Sequence, residues 1–153
     1  MKKKIALGII LLAVLIQFIR PSKNTGDAEG KNDLNHSVTV PDTIRNILKV
    51  ACYDCHSDHT NYRWYHEIMP VGWWLNHHAE DGKKHLNFSQ FRLYNDKKKD
   101  HKLEEIAKEV EHGEMPLSSY TWLHEDAKLS EAQIKMLKDW VTEQRASLKA
   151  KTK

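Results

Sequence analysis

The sequence predicts an all-α fold, and three observations carry that expectation. Apolar residues recur at helical spacing in several segments, helix-starting and helix-stopping residues bracket those segments, and no stretch of useful length alternates apolar and polar residues as a strand does. The chain has 153 residues, 40% hydrophobic and 29% charged, which is enough for one core with extensions and too apolar for a disordered tail. The expected organisation is an N-terminal signal segment over 1–20, a flexible tether over 21–39, a helical domain over 40–148 and a short tail over 149–153.

The N-terminus reads as a targeting signal. Lys2, Lys3 and Lys4 precede an apolar run over residues 5–19 that only Gly8 and Gln17 interrupt, and Arg20 and Pro21 close it. No pair of small residues follows at cleavage spacing, so an uncleaved anchor helix is favoured over a removed signal peptide. The lysines before the run place the N-terminus in the cytoplasm. The domain is then expected in the periplasm or otherwise outside the cytoplasmic membrane, held to it by the anchor. Residues 21–39 are polar, contain Gly26 and Gly30 and lack an apolar period, as a tether does.

Four helical segments follow. Pro41 and Asp42 suit a helix start, and Ile44, Ile47, Leu48, Ala51 and Cys55 form its apolar stripe. A short second helix is expected over 71–81, headed by Trp73, Trp74 and Leu75 and stopped by Gly82. Leu86, Phe88, Phe91 and Leu93 make a further apolar cluster, with Ser89 a candidate cap. A long helix is expected over 96–112, with Leu103, Ile106, Ala107 and Val110 inward and Gly113 as its stop. The last opens at Ser130, which with Gln133 makes a capping box, and runs to about residue 148 with Ile134, Leu137, Trp140 and Val141 inward.

Charge excludes one class of partner. The formal net charge is +3, but Lys2, Lys3, Lys4 and Arg20 are all in the leader, which holds no acid, so the remainder is close to neutral. No basic footprint for nucleic acid remains.

Both cysteines lie in Cys52-Tyr53-Asp54-Cys55-His56. Two thiols at i and i+3 point the same way from one turn of helix and can each form a thioether with a vinyl group of one porphyrin, and the histidine that follows can bind the iron. The motif is therefore an attachment signal for c-type haem, one per chain. A bare pair of cysteines at this spacing also suits a thiol redox pair, a disulfide or half of a zinc site. A redox pair is expected after a strand, and a zinc site would need two further ligands, for which His59 and His66 are the nearby histidines.

His56 is then the proximal iron ligand. For the far face, Met115 is preferred, because it stands in a loop after a capped helix and is held by Pro116. Met69, one of the His77-His78 pair, and an open site remain alternatives. Met136 sits mid-helix and reads as core filling. Trp64, Trp73, Trp74 and Tyr120, with Tyr62, Tyr65 and Trp122, could wall the haem, although ordinary packing explains each equally well. Arg63, Lys83 and Lys84 are candidates for the propionates but read more simply as solvated charges.

On these motifs the chain resembles small class I c-type cytochromes. In its CYDCHSDHTNYRWY, NHHAEDGKKHLNFSQF and GEMPLSSYTWLHEDAKLS segments it looks like a haem-binding domain family of anchored proteins, a likeness that covers about residues 40–144. The resemblance implies a cytochrome c-like helical domain carrying haem c. It also implies that a proline carbonyl accepts the second ring proton of the proximal histidine, and Pro70 matches by spacing. The histidine-rich and aromatic stretch over 57–94 departs from a minimal cytochrome. The expected function is one-electron transfer by a membrane-anchored carrier, not an enzyme, with redox proteins at the membrane as partners. The alternatives are a haem sensor or peroxidase-like enzyme with an open sixth site, and a haem-free thiol module.

Overall fold

The structure is a computed structural model that describes residues 1–151. It is helical throughout, and the only β-type pairing among the described residues is an isolated antiparallel bridge between Thr25 and His59. The α-helices are α1 (Lys2–Leu15), α2 (Asp42–Ala51), α3 (Tyr53–His56), α4 (Val71–His85), α5 (Asp96–His112), α6 (Ser118–Thr121) and α7 (Glu131–Lys151). The all-α expectation therefore holds.

The long helices form where the periodicity places them. Helix α5 begins at the Asn95 cap, whose side chain accepts from the Lys98 amide at 2.8 Å, and ends at Gly113 in the left-handed conformation at φ 72°. Ser130 and Gln133 close the capping box of α7, with Oε1 of Gln133 accepting from the Ser130 amide at 2.9 Å and Oγ of Ser130 from the Gln133 amide at 3.3 Å. Helix α7 extends through Lys151, so residues 149–151 of the expected tail are helical, and residues 152–153 lie outside the described residues. Leu103, Ile106 and Val110 of α5 face Leu137, Trp140, Val141 and Leu148 of α7 in one core with Ile44, Ile47 and Leu48 of α2. Residue 39 pins α2 to α7, because its amide donates to the Gln144 side chain at 3.1 Å and its carbonyl accepts from the Trp140 indole at 2.9 Å. Phe88 and Phe91, fully buried on the 3-10 turn Phe88–Leu93, close the core from below; that turn is capped by Asn87, which accepts from the Ser89 amide at 3.0 Å, and not by Ser89.

Three expectations are corrected. Helix α1 has 14 residues, none of them buried, a length of about 21 Å at 1.5 Å per residue against the roughly 30 Å of a bilayer core. No helix among the described residues is long and apolar enough to cross a membrane. The N-terminal anchor, and the location at the cytoplasmic membrane with the domain in the periplasm that depended on it, are therefore not supported.

The segment 21–39 is not a free tether. Asp33 and Leu34 are fully buried, Asn24 donates to the Ser57 carbonyl at 3.0 Å, Gly26 donates to the Asp58 carbonyl at 2.7 Å, and the Ala28 carbonyl accepts from Ser89 at 2.6 Å. Its polar side chains and backbone satisfy the loop that follows the cysteine motif, a role that polar composition alone does not distinguish from solvation.

Helix α4 does not stop at Gly82 but continues to His85. A Cβ at Gly82 would stand 2.7 Å from the Cys55 carbonyl oxygen, so this glycine lets α4 cross closely over α3.

Candidate functional site

The cysteine motif folds as a short turn of its own. Helix α2 ends at Cys52, whose φ of −130° and ψ of −40° break the helical run, and α3 follows at once. The His56 amide donates to the Cys52 carbonyl at 2.9 Å, so Cys52 and Cys55 stand on one turn. The two residues between the thiols are buried and bonded. Tyr53 stacks on Phe88 with centroids 5.0 Å apart and donates its hydroxyl to Asp33 at 2.8 Å. Asp54 accepts from the Tyr120 hydroxyl at 2.8 Å through Oδ2 and from the Asn61 side-chain amide at 2.8 Å through Oδ1.

Cys52, Cys55 and His56 open onto one cavity of about 670 Å³. Both cysteines are free thiols. Burial, with the neighbouring Cys55 adding to it, pushes the Cys52 thiol up to about 12, and burial with Asp54 beside it pushes Cys55 up to about 11. Both are therefore protonated at neutral pH, unlike the low-pKa thiolate of a redox pair. Nδ1 of His56 lies 3.0 Å from the Leu86 carbonyl oxygen. A carbonyl only accepts, so Nδ1 carries the proton and Nε2 keeps its lone pair for a metal. Burial holds His56 below the usual histidine value and keeps that ring neutral.

The other walls come from α4, α5 and the loop beyond it. Trp74, His77, His78, Asp81, Gly82 and His85 line the cavity from α4, Ile106, Glu109 and Val110 from α5, and Met115, Pro116, Leu117 and Tyr120 from the loop and α6. The left-handed turn at Gly113 brings that loop back, and the Glu109 carbonyl accepts from both the Glu114 amide at 3.0 Å and the Met115 amide at 3.2 Å.

The structure thus brings together Cys52, Cys55, His56, Met115, Trp74 and Tyr120. The His77-His78 pair, the histidine alternative for the far face, lines the cavity as well, and the other candidates do not. Pro70 is not the acceptor for His56: its carbonyl accepts from the Trp74 amide at 3.2 Å, and Leu86 takes the role expected of it. Trp64 is 76% exposed and outside the cavity, while Trp73 turns its indole N–H to the Ile19 carbonyl at 2.6 Å. Trp73 thus packs towards the N-terminal segment, and a position count cannot assign an indole to one side of a helix or the other. Met69 is buried away from the cavity; its amide and carbonyl pair with the Gln17 side chain at 2.9 and 3.0 Å, and its thioether packs under Gly72. Lys83 is turned away, to Asn24 at 2.7 Å.

The sequence reading missed Leu86, Gly82 and His85. Leu86 acts through its backbone, which its side chain does not advertise. Gly82 carries a signal, a glycine in phase with a helical pattern, but a glycine there fits a helix end equally well.

A compact helical domain in which two thiols, a neutral imidazole and a thioether-bearing loop surround one cavity is built for a flat, metal-centred cofactor. The volume falls within the roughly 300–1,000 Å³ of ligand cavities, and the donor set is of the kind that holds haem iron, so the residues present fit the group. The sequence pattern of the haem-binding domain family matches residues 11–143. The chain belongs to that family, and haem is its cofactor. No curated protein and no solved structure matches the chain.

Proposed function

We propose that this protein is a monohaem electron carrier, with haem c bound covalently through thioethers to Cys52 and Cys55. One observation carries the reading: Cys52, Cys55 and His56 share a single cavity with Met115, a residue far along the chain. Haem bound there supplies a one-electron couple, and no substrate is required. The Cys52 and Cys55 thiols would hold the ring in place as thioethers to its vinyl groups. His56, whose Nε2 the Leu86 bond leaves free, and Met115, through its thioether, would hold the iron. A neutral nitrogen and a soft sulfur favour the ferrous state and raise the potential. Phe88, Leu86, Ile106 and Val110 line the cavity with apolar side chains, which would exclude water from the iron. The partners on this reading are redox proteins that accept or deliver one electron.

The competing reading is a sensor or peroxidase-like enzyme with an open sixth position. Carbon monoxide added to the anaerobically reduced, matured protein separates the two. A Soret band that stays largely unmoved supports closure by Met115, and a large immediate shift favours the open site. Haem stain that fails to follow the polypeptide on a denaturing gel rejects covalent attachment.

A further inference from the structure

The far wall of the cavity is tied directly to the cysteine turn by a chain of polar groups, of which Asp54 and His124 are buried and Tyr65 and Tyr120 half-buried. Asp54, between the two thiols, is 8% exposed and has both oxygens engaged. Oδ1 accepts from Asn61 through its side-chain amide at 2.8 Å and its backbone amide at 3.2 Å, and Oδ2 accepts from the Tyr120 hydroxyl at 2.8 Å. The Tyr120 ring stacks on His124 with centroids 4.0 Å apart and planes 19° from parallel. His124 is 7% exposed, and its Nδ1 is 3.0 Å from the Tyr120 carbonyl. That carbonyl can only accept, so Nδ1 donates and Nε2 accepts from the Tyr65 hydroxyl, 2.6 Å away. Each group thus has one role: Tyr65 donates to His124, His124 clamps Tyr120 by stacking and a backbone bond, and Tyr120 donates to Asp54.

The chain from Met115 to Tyr120 is short and stiff. Pro116 follows Met115, and the Leu117 carbonyl receives the Tyr120 amide at 2.9 Å as α6 begins. Along the backbone, by contrast, the cysteine turn reaches Met115 only through α4 and α5. The bond between Tyr120 and Asp54 is therefore a direct link between the residues that hold one face of the ring and the loop that carries the ligand for the other.

We propose that Tyr65, His124, Tyr120 and Asp54 form a latch that positions Met115 over the iron and sets how readily another ligand displaces it. Tyr120 and Asp54 are positioning residues in this role, acting through Met115. The proposal rests on the reading that Met115 ligates the iron. A hydrogen bond to a buried carboxylate is among the stronger neutral-to-charged bonds, so its loss frees the loop appreciably.

The test is Tyr120→Phe, which deletes one oxygen and keeps the ring stack on His124. With equal haem content per chain, the ferric variant should bind imidazole about tenfold more tightly than the unaltered protein, because Met115 is displaced more easily. The midpoint potential should fall with it. Tyr65→Phe, cut at the outer end, should shift imidazole affinity in the same direction by about threefold. Unchanged imidazole affinity in both variants overturns the latch.

Amide exchange in the haem-loaded protein reads the same link from the backbone and not from the iron. Residues 117–124 should exchange about tenfold faster in Tyr120→Phe, and unchanged rates overturn the latch. If the unaltered haem protein lacks a sulfur-to-iron band, the Met115 assignment fails, and faster exchange in the variant then supports the link between loop and cysteine turn on its own.

Discussion

The imidazole of His56 is oriented by the backbone of Leu86, with Nδ1 and the carbonyl oxygen 3.0 Å apart. Because the acceptor is a carbonyl at the end of α4, the ring cannot turn without breaking a bond inside the core. His56→Ala should therefore give a folded chain that yields no stable holo-protein after expression with a haem maturation system. Absorbance per chain is the measurement. A variant with an unchanged Soret band and unchanged reduced spectrum rejects His56 as the proximal ligand.

Met115 lines the cavity and Met69 does not. Met115→Ala should keep the haem attached and lose the weak sulfur-to-iron absorption near the red end of the spectrum. Should that band survive in Met115→Ala and vanish in Met69→Ala, the axial assignment is wrong.

Gly82 has no room for a side chain, since a Cβ there would meet the Cys55 carbonyl at 2.7 Å. That neighbour is backbone and cannot swing aside, so Gly82→Ala should destabilise the domain by about 1–3 kcal/mol despite the better helix propensity of alanine. Urea unfolding of the haem-free protein measures it, and a stabilised variant would show that α4 can shift freely over α3.

Tyr53 donates to the fully buried Asp33 at 2.8 Å. Removing that hydroxyl leaves a buried carboxylate oxygen short of a donor, and Tyr53→Phe should cost about 1–3 kcal/mol. The same unfolding experiment tests this, and no change in midpoint would mean that the Tyr53–Asp33 bond contributes nothing to stability.

Arg145 of α7 holds Asp100 of α5 through two bonds of 2.8 and 3.2 Å, and this guanidinium keeps the Asp100 carboxyl below its ordinary value of 3.8. A depressed folded pKa means that the unfolded chain binds the proton first as pH falls. The stabilisation is complete well above 3.8, begins to fade as pH approaches that value, and is gone once pH passes below the folded pKa. The pair is partly exposed, so about 0.5–1 kcal/mol is at stake. Asp100→Asn should flatten that part of the acid stability curve, and a curve with the original slope rules out this contribution.

Much of the fold was legible because helices announce themselves locally. The periods of α5 and α7, the stop at Gly113 and the Ser130–Gln133 box depend on residues three or four apart, and the structure has them where the pattern has them. That Cys52, Cys55, His56 and Met115 come to one cavity was legible because both cysteines stand in one motif with a histidine directly after it, and Met115 stands in a loop that Pro116 holds after a capped helix. The N-terminal apolar run reads as an anchor from its flanking lysines and the lack of a cleavage site, but those local signals do not supply helix length, and α1 ends at Leu15.

By itself the sequence determined that the protein is helical, that two thiols and a histidine share one turn, and that a methionine loop follows a long capped helix. Only the tertiary structure decided that Leu86, not Pro70, orients His56, that segment 21–39 packs against the domain, that Gly82 is a crossing point, and that Tyr120 reaches Asp54. Each of those depends on a pairing between residues distant along the chain, and most use a backbone carbonyl that every residue possesses. No residue type marks such a partner, so the pairing exists only once the helices have packed.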